Sequence, residues 1–282
     1  MRDTLAGRGA VFDIEGTLQQ ATYAIQNQQP NEAARLAQIV LERSPANPRA
    51  LHLYGHALLM LGQAKEAVMP LETAFRSLRD PLTEAQLGIA LHKSGRTAEA
   101  LDRFARAIKR KPPLPAAVYE YGYLLFSIGR MDEAVNVLKI GIEAAPQLPA
   151  LAALLGWAYH ASNDSINAKA AFARALNIAP NNINALHGMG LMLMGKGEFA
   201  QAAEYFRRIL LNHPSDEEAQ LYLGACLLEI DPSQAALTYL RSVARSSPNY
   251  YGRALSILSS SGRGRFWLRP SAAGEFFKAM RS

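Results

Sequence analysis

Two histidines four residues apart, His52 and His56, have a spacing that could serve metal chemistry. On a helix this spacing puts both imidazoles on one face, where they can reach a single metal ion, and His92 could add a third ligand from an adjacent helix. No acidic residue stands at the nearby positions that would share this face. We therefore expect no metal and no cofactor, and we interpret the three rings as packing, stacking or hydrogen-bonding groups.

A second candidate is the stretch AVFDIEGTL at residues 10–18, where Asp13 and Glu15 follow an apolar run. It resembles the nucleophile loop of the haloacid-dehalogenase phosphatases, a resemblance that would make Asp13 the nucleophile and Glu15 the proton shuttle. Such a loop also needs a parallel sheet, a lysine and a further acid pair, which the rest of the chain does not offer. We predict instead that Asp13 caps the N-terminus of a helix. We assign no catalytic residue and no small-molecule substrate, and we expect no enzyme.

The elements that must position these side chains follow a repeat of about 34 residues. A glycine recurs, an alanine follows it twelve residues later, and a proline follows most alanines after twelve more. Two stretches with apolar residues at helical spacing, separated by a turn, make each copy a helical hairpin. We expect glycine and alanine to let the two helices approach closely and proline to end the second helix. The three slots hold Gly55, Gly88, Gly122, Gly156, Gly190 and Gly224; Ala67, Ala100, Ala134, Ala168, Ala202 and Ala236; and Pro112, Pro146, Pro180, Pro214 and Pro248, with Ala21, Ala33 and Pro45 as a degenerate first copy.

This pattern resembles the tetratricopeptide repeat over residues 14–250. The resemblance implies an all-α, right-handed superhelical solenoid of about seven helix-turn-helix repeats with C-terminal capping helices. We expect Pro70 to kink the second helix of its repeat. The predicted division is an N-terminal extension at 1–13, repeats at 14–47, 48–80, 81–114, 115–148, 149–182, 183–216 and 217–250, and a capping helix with a basic, aromatic tail at 251–282.

In this family the first helices line a concave surface, and positions 2, 5, 9 and 12 of each repeat point inward. The residues at these positions are largely aromatic, apolar or histidine, and the basic residues of a carboxylate clamp and the asparagine ladder of sugar-transferase solenoids are both missing. We therefore predict a groove for a peptide or amphipathic helix of another protein, apolar or aromatic rather than an acidic tail. Its predicted residues are His52, His56, Ile89, His92, Tyr119, Tyr123, Phe126, Trp157, His160, His187, Leu191 and Met194.

The formal net charge is +6, and residues 241–282 hold eight of the 30 basic residues with one acid, Glu275. The tail offers Phe266, Trp267, Phe276 and Phe277 as contact residues. Three interpretations stay open for it: docking on its own solenoid, binding a partner or an acidic membrane surface, or contacting nucleic acid.

The single cysteine, Cys226, excludes an intrachain disulfide and is expected to be packed. No secretory signal is readable at the start of the sequence, so we expect a cytoplasmic protein, and its composition fits a bacterial one. The predicted function is a non-enzymatic adaptor. The alternatives are an accessory subunit that selects substrates in trans for a glycosyl- or sulfotransferase, and an assembly factor of a pilus or secretion system.

Overall fold

The computed structural model of the chain describes residues 12–109, 111–231, 234–246 and 248–260. Every regular element within these ranges is an α-helix, and none of them contains a strand. The predicted all-α fold class is confirmed. The chain divides into two compact units, Met1–Ile128 (unit 1) and Gly129–Ser282 (unit 2). Among the described helices, none is both long enough and apolar enough to cross a membrane.

Unit 1 is a stack of helical hairpins. Its first helices, α1, α3, α5 and α7, each contact the next one along the chain, and each second helix packs against the first helices before and after it. The described helices of unit 1 are α1 (Ile14–Gln26), α2 (Pro30–Arg43), α3 (Pro48–Met60), α4 (Ala64–Leu78), α5 (Pro81–Lys93), α6 (Thr97–Ala107) and α7 (Pro115–Ser127). Helix α4 continues through Pro70.

Unit 2 continues the same alternation. The first helices α9 and α11 contact each other, as do α13 and α15, and consecutive helices pack along the whole unit. Its described helices are α8 (Met131–Ala144), α9 (Pro149–Ala161), α10 (Ser165–Ile178), α11 (Ile183–Gly195), α12 (Phe199–Asn212), α13 (Glu217–Ile230), α14 (Gln234–Ser246) and α15 (Pro248–Ser260).

The first helices begin where the sequence supplies a capping side chain or a proline. Asp13 Oδ1 accepts a hydrogen bond from the backbone N–H of Gly16 at 2.8 Å, which confirms the predicted helix cap. Asn47 and Asp80 cap α3 and α5 in the same way, and a proline follows each of them at the first helical position. Such a cap satisfies one of the free backbone donors and contributes about 1 kcal/mol.

The turns between the two helices of a hairpin need a left-handed residue. Gly62 and Gly95 take φ angles of 77° and 87° at this point, a region that costs a glycine nothing. Both glycines lie in the turn that the sequence predicts between the two helices of a hairpin. Asn163 fills the same place in a later hairpin with φ 60°, which asparagine tolerates better than most residues.

The repeated glycine of the first helices makes room for a large side chain of the second helix, a contact that our prediction of close helix approach did not include. A β-carbon at Gly156 would lie 2.5 Å from Phe172 Cδ1, and one at Gly88 would lie 2.8 Å from Phe104 Cε1. Phe104 and Phe172 stand four residues after the repeated alanine, one helical turn further along the second helix. These two hairpins are therefore held by a bulky residue set into a glycine notch. The same contact joins Gly55 to Leu71, Gly190 to Phe206 and Gly224 to Leu240.

Candidate functional site

In unit 1 the predicted groove residues lie on three adjacent first helices, α3, α5 and α7. All of them keep some exposure to solvent, and Tyr123 is 46% exposed. Leu82, at position 2 of its repeat, is 45% exposed and belongs with them. Position 2 is one of the positions predicted to point inward, but Leu82 was not among the predicted groove residues. We define the first-helix face of unit 1 as His52, His56, Leu82, Ile89, His92, Tyr119, Tyr123 and Phe126.

His52 is held by a relay that fixes its tautomer. Thr83 Oγ1 donates to Asp80 Oδ2 at 2.6 Å, and the backbone N–H of Thr83 donates to Asp80 Oδ1 at 2.9 Å. The hydroxyl proton of Thr83 is thus committed to the carboxylate, so the 2.7 Å contact between His52 Nδ1 and Thr83 Oγ1 requires Nδ1–H to be the donor. In the neutral ring, Nε2 of His52 then carries the lone pair and can accept a hydrogen bond.

Burial keeps the two histidines of α3 neutral near physiological pH. It lowers the pKa of His52 below 6.5, against the opposing pull of the Asp80 carboxylate. It also lowers the pKa of His56, and the neighbouring His52 adds to that effect. The rings meet edge to face with centroids 6.4 Å apart. The face therefore presents neutral, polarisable rings.

The structure does not assemble a metal site from these rings. Within the described ranges, no group of three or more histidine, cysteine, aspartate or glutamate side chains could hold a metal ion. His92 is thus not brought together with His52 and His56 as a ligand set. Its Nδ1 is buried and has no hydrogen-bond partner among the described atoms.

The α7 end of this face is aromatic. Burial raises the pKa of the Tyr119 hydroxyl, and the adjacent Glu120 raises it further. Burial also raises the pKa of Glu120 above its usual range, although Lys93 partly offsets this. Tyr119 thus remains a neutral hydrogen-bonding group at physiological pH. Tyr123 and Phe126 extend the apolar surface beside it.

In unit 2 the predicted residues lie on the adjacent first helices α9 and α11. The Trp157 ring meets Phe172 at 5.4 Å and His160 at 5.9 Å between centroids, both edge to face. Trp157 and His160 are partly exposed, whereas Leu191 and Met194 keep partial exposure while packing against the core cluster around Phe206. We define the first-helix face of unit 2 as Trp157, His160, Leu191 and Met194.

His187 was predicted to line the groove, and this prediction is wrong, because the residue is only 8% exposed. Its ring lies 5.8 Å from that of Phe206 and 6.4 Å from that of Tyr222, and Nε2 approaches Asp216 Oδ1 at 3.4 Å. Asp216 caps α13, the first helix of the following hairpin. His187, at position 5 of its repeat, therefore contacts the start of α13. Its ring packs between two repeats and is not available to a ligand.

The last described helix covers the end of unit 2, as expected for a capping helix. Ala254 and Leu258 of α15 are buried in a cluster that also holds Leu221 of α13. The guanidinium of Arg253 lies over the Tyr222 ring at 5.4 Å and donates to Glu218 Oε1 at 3.1 Å. Helix α15 lies where the sequence predicts a capping helix. The tail residues Phe266, Trp267, Phe276 and Phe277 lie outside the described residues.

The side chains that could suggest catalysis have structural roles. Besides the capping Asp13, Glu15 binds the guanidinium of Arg49 at 2.7 Å across two hairpins. Cys226 is buried, and burial raises the pKa of its thiol to about 12. A thiol with this pKa stays protonated at neutral pH, so Cys226 behaves as a core side chain and not as a nucleophile.

Family models described as tetratricopeptide repeat match residues 24–86, 91–158, 150–182 and 187–251. The chain belongs to the tetratricopeptide repeat family. Proteins of this family are interaction scaffolds that bind other proteins or peptides, and they are typically non-catalytic.

Solved structures of tetratricopeptide repeat proteins share the fold. The type IV pilus biogenesis factor PilW is 20% identical, with a TM-score of 0.67 over 76% of this chain and 100% of its own. YrrB is 22% identical, with a TM-score of 0.51 over 63% of this chain and 92% of its own. MamA from Desulfovibrio magneticus RS-1 is 27% identical, with a TM-score of 0.52 over 60% of this chain and 97% of its own. No curated protein sequence matches the chain.

Proposed function

We propose that this tetratricopeptide repeat protein is a non-enzymatic adaptor whose first-helix face of unit 1 binds a peptide or amphipathic helix of another protein. The observation that carries the proposal is the partial exposure of Leu82, Tyr123 and Phe126 beside neutral histidines on adjacent helices. Exposed apolar side chains on neighbouring helices are typical of a surface that binds a partner. The first-helix face of unit 2 offers a second, smaller surface of the same character around Trp157.

The composition of the face determines what it selects. Tyr and Phe anchors favour apolar side chains, and the fixed His52 ring offers one hydrogen-bond acceptor for a ligand N–H or O–H. An acidic ligand would meet Glu120 and no clamp of basic residues. We therefore infer an apolar or aromatic ligand segment that presents a hydrogen-bond donor close to α3.

Burial of apolar anchors predicts a modest affinity. Burying one Leu or Phe of a ligand contributes about 1.5–3 kcal/mol, and three such anchors contribute about 5–9 kcal/mol. Ordering the peptide and restricting its motion offset part of this gain. The net binding free energy from these anchors is therefore weaker than about −8 kcal/mol, which corresponds to a dissociation constant above about 1 μM. YrrB, whose solved structure is described as having an unusual peptide-binding site, shares the fold that would carry this function.

Selection from a displayed peptide library tests the proposal. Peptides enriched on the unaltered protein should be rich in Leu, Phe or Trp and should lose at least about tenfold in affinity for Tyr123→Ala. The matched control is Tyr23→Ala, which removes a tyrosine that is 67% exposed on α1 and outside the face. Equal losses for Tyr23→Ala and Tyr123→Ala, or enriched peptides with no apolar residues, would contradict it.

The expected cytoplasmic setting stays a prediction.

A further inference from the structure

One carboxylate borders the first-helix face of unit 1. Glu120 lies on α7 at position 6 of its repeat, directly after Tyr119 and three residues before Tyr123. Since a helix turns by about 100° per residue, Glu120 lies about 60° around α7 from Tyr123. Glu120 is partly buried, and both Tyr119 and Lys93 of α5 are close enough to interact with its charge. The carboxylate therefore lies at the edge of the face, where α7 meets α5.

This carboxylate is left without a direct partner by the described residues. Lys93 acts on it through space, but none of the described residues forms an ion pair or a hydrogen bond with it. Lys93 is exposed in the last turn of α5, where the negative end of the helix dipole already favours a basic residue. By contrast, Glu99 forms an ion pair with Arg96. Partial burial of a carboxylate without a direct partner costs free energy, and a bound cation would offset that cost.

The repeat does not require an acid at this position. Glu120 lies in the middle of α7, so it is not a capping residue. Position 6 of the other predicted repeats holds no acidic residue and is occupied by Gln19, Leu53, Gln86, Leu154, Gly188 and Tyr222. Neither the repeat nor helix capping therefore accounts for the charge of Glu120.

The groups around this edge of the face select a cation. A tyrosine ring attracts a guanidinium or ammonium group over its face, and a carboxylate pairs with a guanidinium through two parallel hydrogen bonds. Tyr123 is 46% exposed and offers such a ring beside Glu120. We propose that Glu120 and Tyr123 bind an arginine side chain of the partner segment, next to the apolar residues that the rest of the face accepts. The proposal rests on the adaptor function proposed above and adds one required charge to its ligand.

Other charged ligands fit this edge less well. A metal ion needs several ligands, and the described part of the chain brings together no three histidine, cysteine or acidic side chains for one. The phosphates of a nucleic acid would be repelled by Glu120. A lysine can pair with the carboxylate, but its ammonium group neither forms a bidentate pair nor stacks as a plane on a tyrosine ring. The site therefore favours an arginine in a polypeptide.

Selection from one displayed peptide library on several protein variants tests the proposal. Peptides selected on the unaltered protein should be enriched in arginine as well as in Leu, Phe or Trp. On Glu120→Gln, which keeps the size of the side chain and removes the charge, the arginine enrichment should disappear and the apolar enrichment should remain. The matched control is Glu99→Gln on α6, which removes the same charge outside the face. It should keep the arginine enrichment.

Fluorescence polarisation with one selected peptide measures the contact directly. Replacing its arginine by citrulline keeps nearly the same shape and removes the charge. This replacement should weaken binding to the unaltered protein and to Glu99→Gln by about tenfold. It should weaken binding to Glu120→Gln by less than about twofold, because the two changes remove the same interaction. Added salt should weaken binding of the arginine peptide.

Equal effects of citrulline on the unaltered protein and on Glu120→Gln overturn the proposal. Selected peptides that are rich in apolar residues but not in arginine also overturn it, and they leave the adaptor function standing. The segment 261–282 of this chain also combines arginines with aromatic residues. A synthetic peptide of that segment that binds more tightly than the selected peptides, and loses affinity for Glu120→Gln, overturns the assignment to a different protein in favour of a second copy. Circular dichroism of each variant checks that it is folded.

Discussion

The notch at Gly156 should respond sharply to a single added methyl group. In Gly156→Ala, the new β-carbon would lie 2.5 Å from Phe172 Cδ1 and 2.6 Å from Cε1, well inside contact distance. Phe172 is fully buried and its ring also abuts Gly188 and Trp157, so it has little freedom to withdraw. Overpacking of this kind costs about 1–3 kcal/mol, and alanine recovers up to about 1 kcal/mol of helix propensity. We expect a net loss of about 1–2 kcal/mol in the free energy of unfolding.

Chemical denaturation followed by circular dichroism measures this loss. The matched control is Gly195→Ala in α11, where a β-carbon meets no described atom within 4 Å. It should be neutral or should stabilise by up to about 0.5 kcal/mol. A double-mutant cycle with Phe172→Leu separates the mechanism from general damage, because the smaller side chain should remove most of the cost of Gly156→Ala. The reasoning is refuted if Gly156→Ala and Gly195→Ala shift the denaturation midpoint equally, or if the two changes in the cycle are additive.

Three further outcomes follow from contacts in the two units. Burial lowers the pKa of His52 and His56 in the folded chain, so the unfolded chain binds more protons below about pH 6.5 and the free energy of unfolding should fall there. Urea midpoints measured from about pH 8 to about pH 5.5 should fall less in the variant with both histidines changed to Gln. Thr83→Val keeps the volume but leaves His52 Nδ1 and Asp80 without their shared partner, so denaturation should show a loss of about 1–3 kcal/mol, and an unchanged midpoint would count against the relay. Cys226, with a thiol pKa of about 12, should react with a thiol reagent only as fast as the chain opens, and rapid labelling of the folded protein would show that it is accessible.

The hairpins were largely predictable because their signals are local and repeated. Asp13 is a capping residue wherever a helix starts behind it, and the glycine turns require a left-handed backbone that few other residues adopt. The period itself then places each helix. The large residue that fills each glycine notch was not predicted, because sequence spacing alone does not show which side chain of the second helix points at the glycine.

The surface residues were predicted less well, since exposure depends on what the next repeat contributes. His52 and His187 both occupy position 5, yet His52 keeps a partly open ring while His187 is enclosed by Phe206, Tyr222 and Asp216. In both repeats an aspartate caps the first helix of the next repeat, as Asp80 does for α5 and Asp216 for α13. A histidine at position 5 followed by such an aspartate could have indicated a contact between repeats.

The seating of Phe172 against Gly156 of α9 and Gly188 of α11 sets a rule for building chimeras from this protein. The Phe172 ring fixes the register of two successive hairpins. A graft that cuts between α10 and α11 would therefore contain Phe172 but not Gly188, against which the ring also packs. Exchanged modules should therefore take α9 through α11 as one block. A foreign hairpin joined after α10 needs a glycine at the place of Gly188 if it is to keep the native pitch.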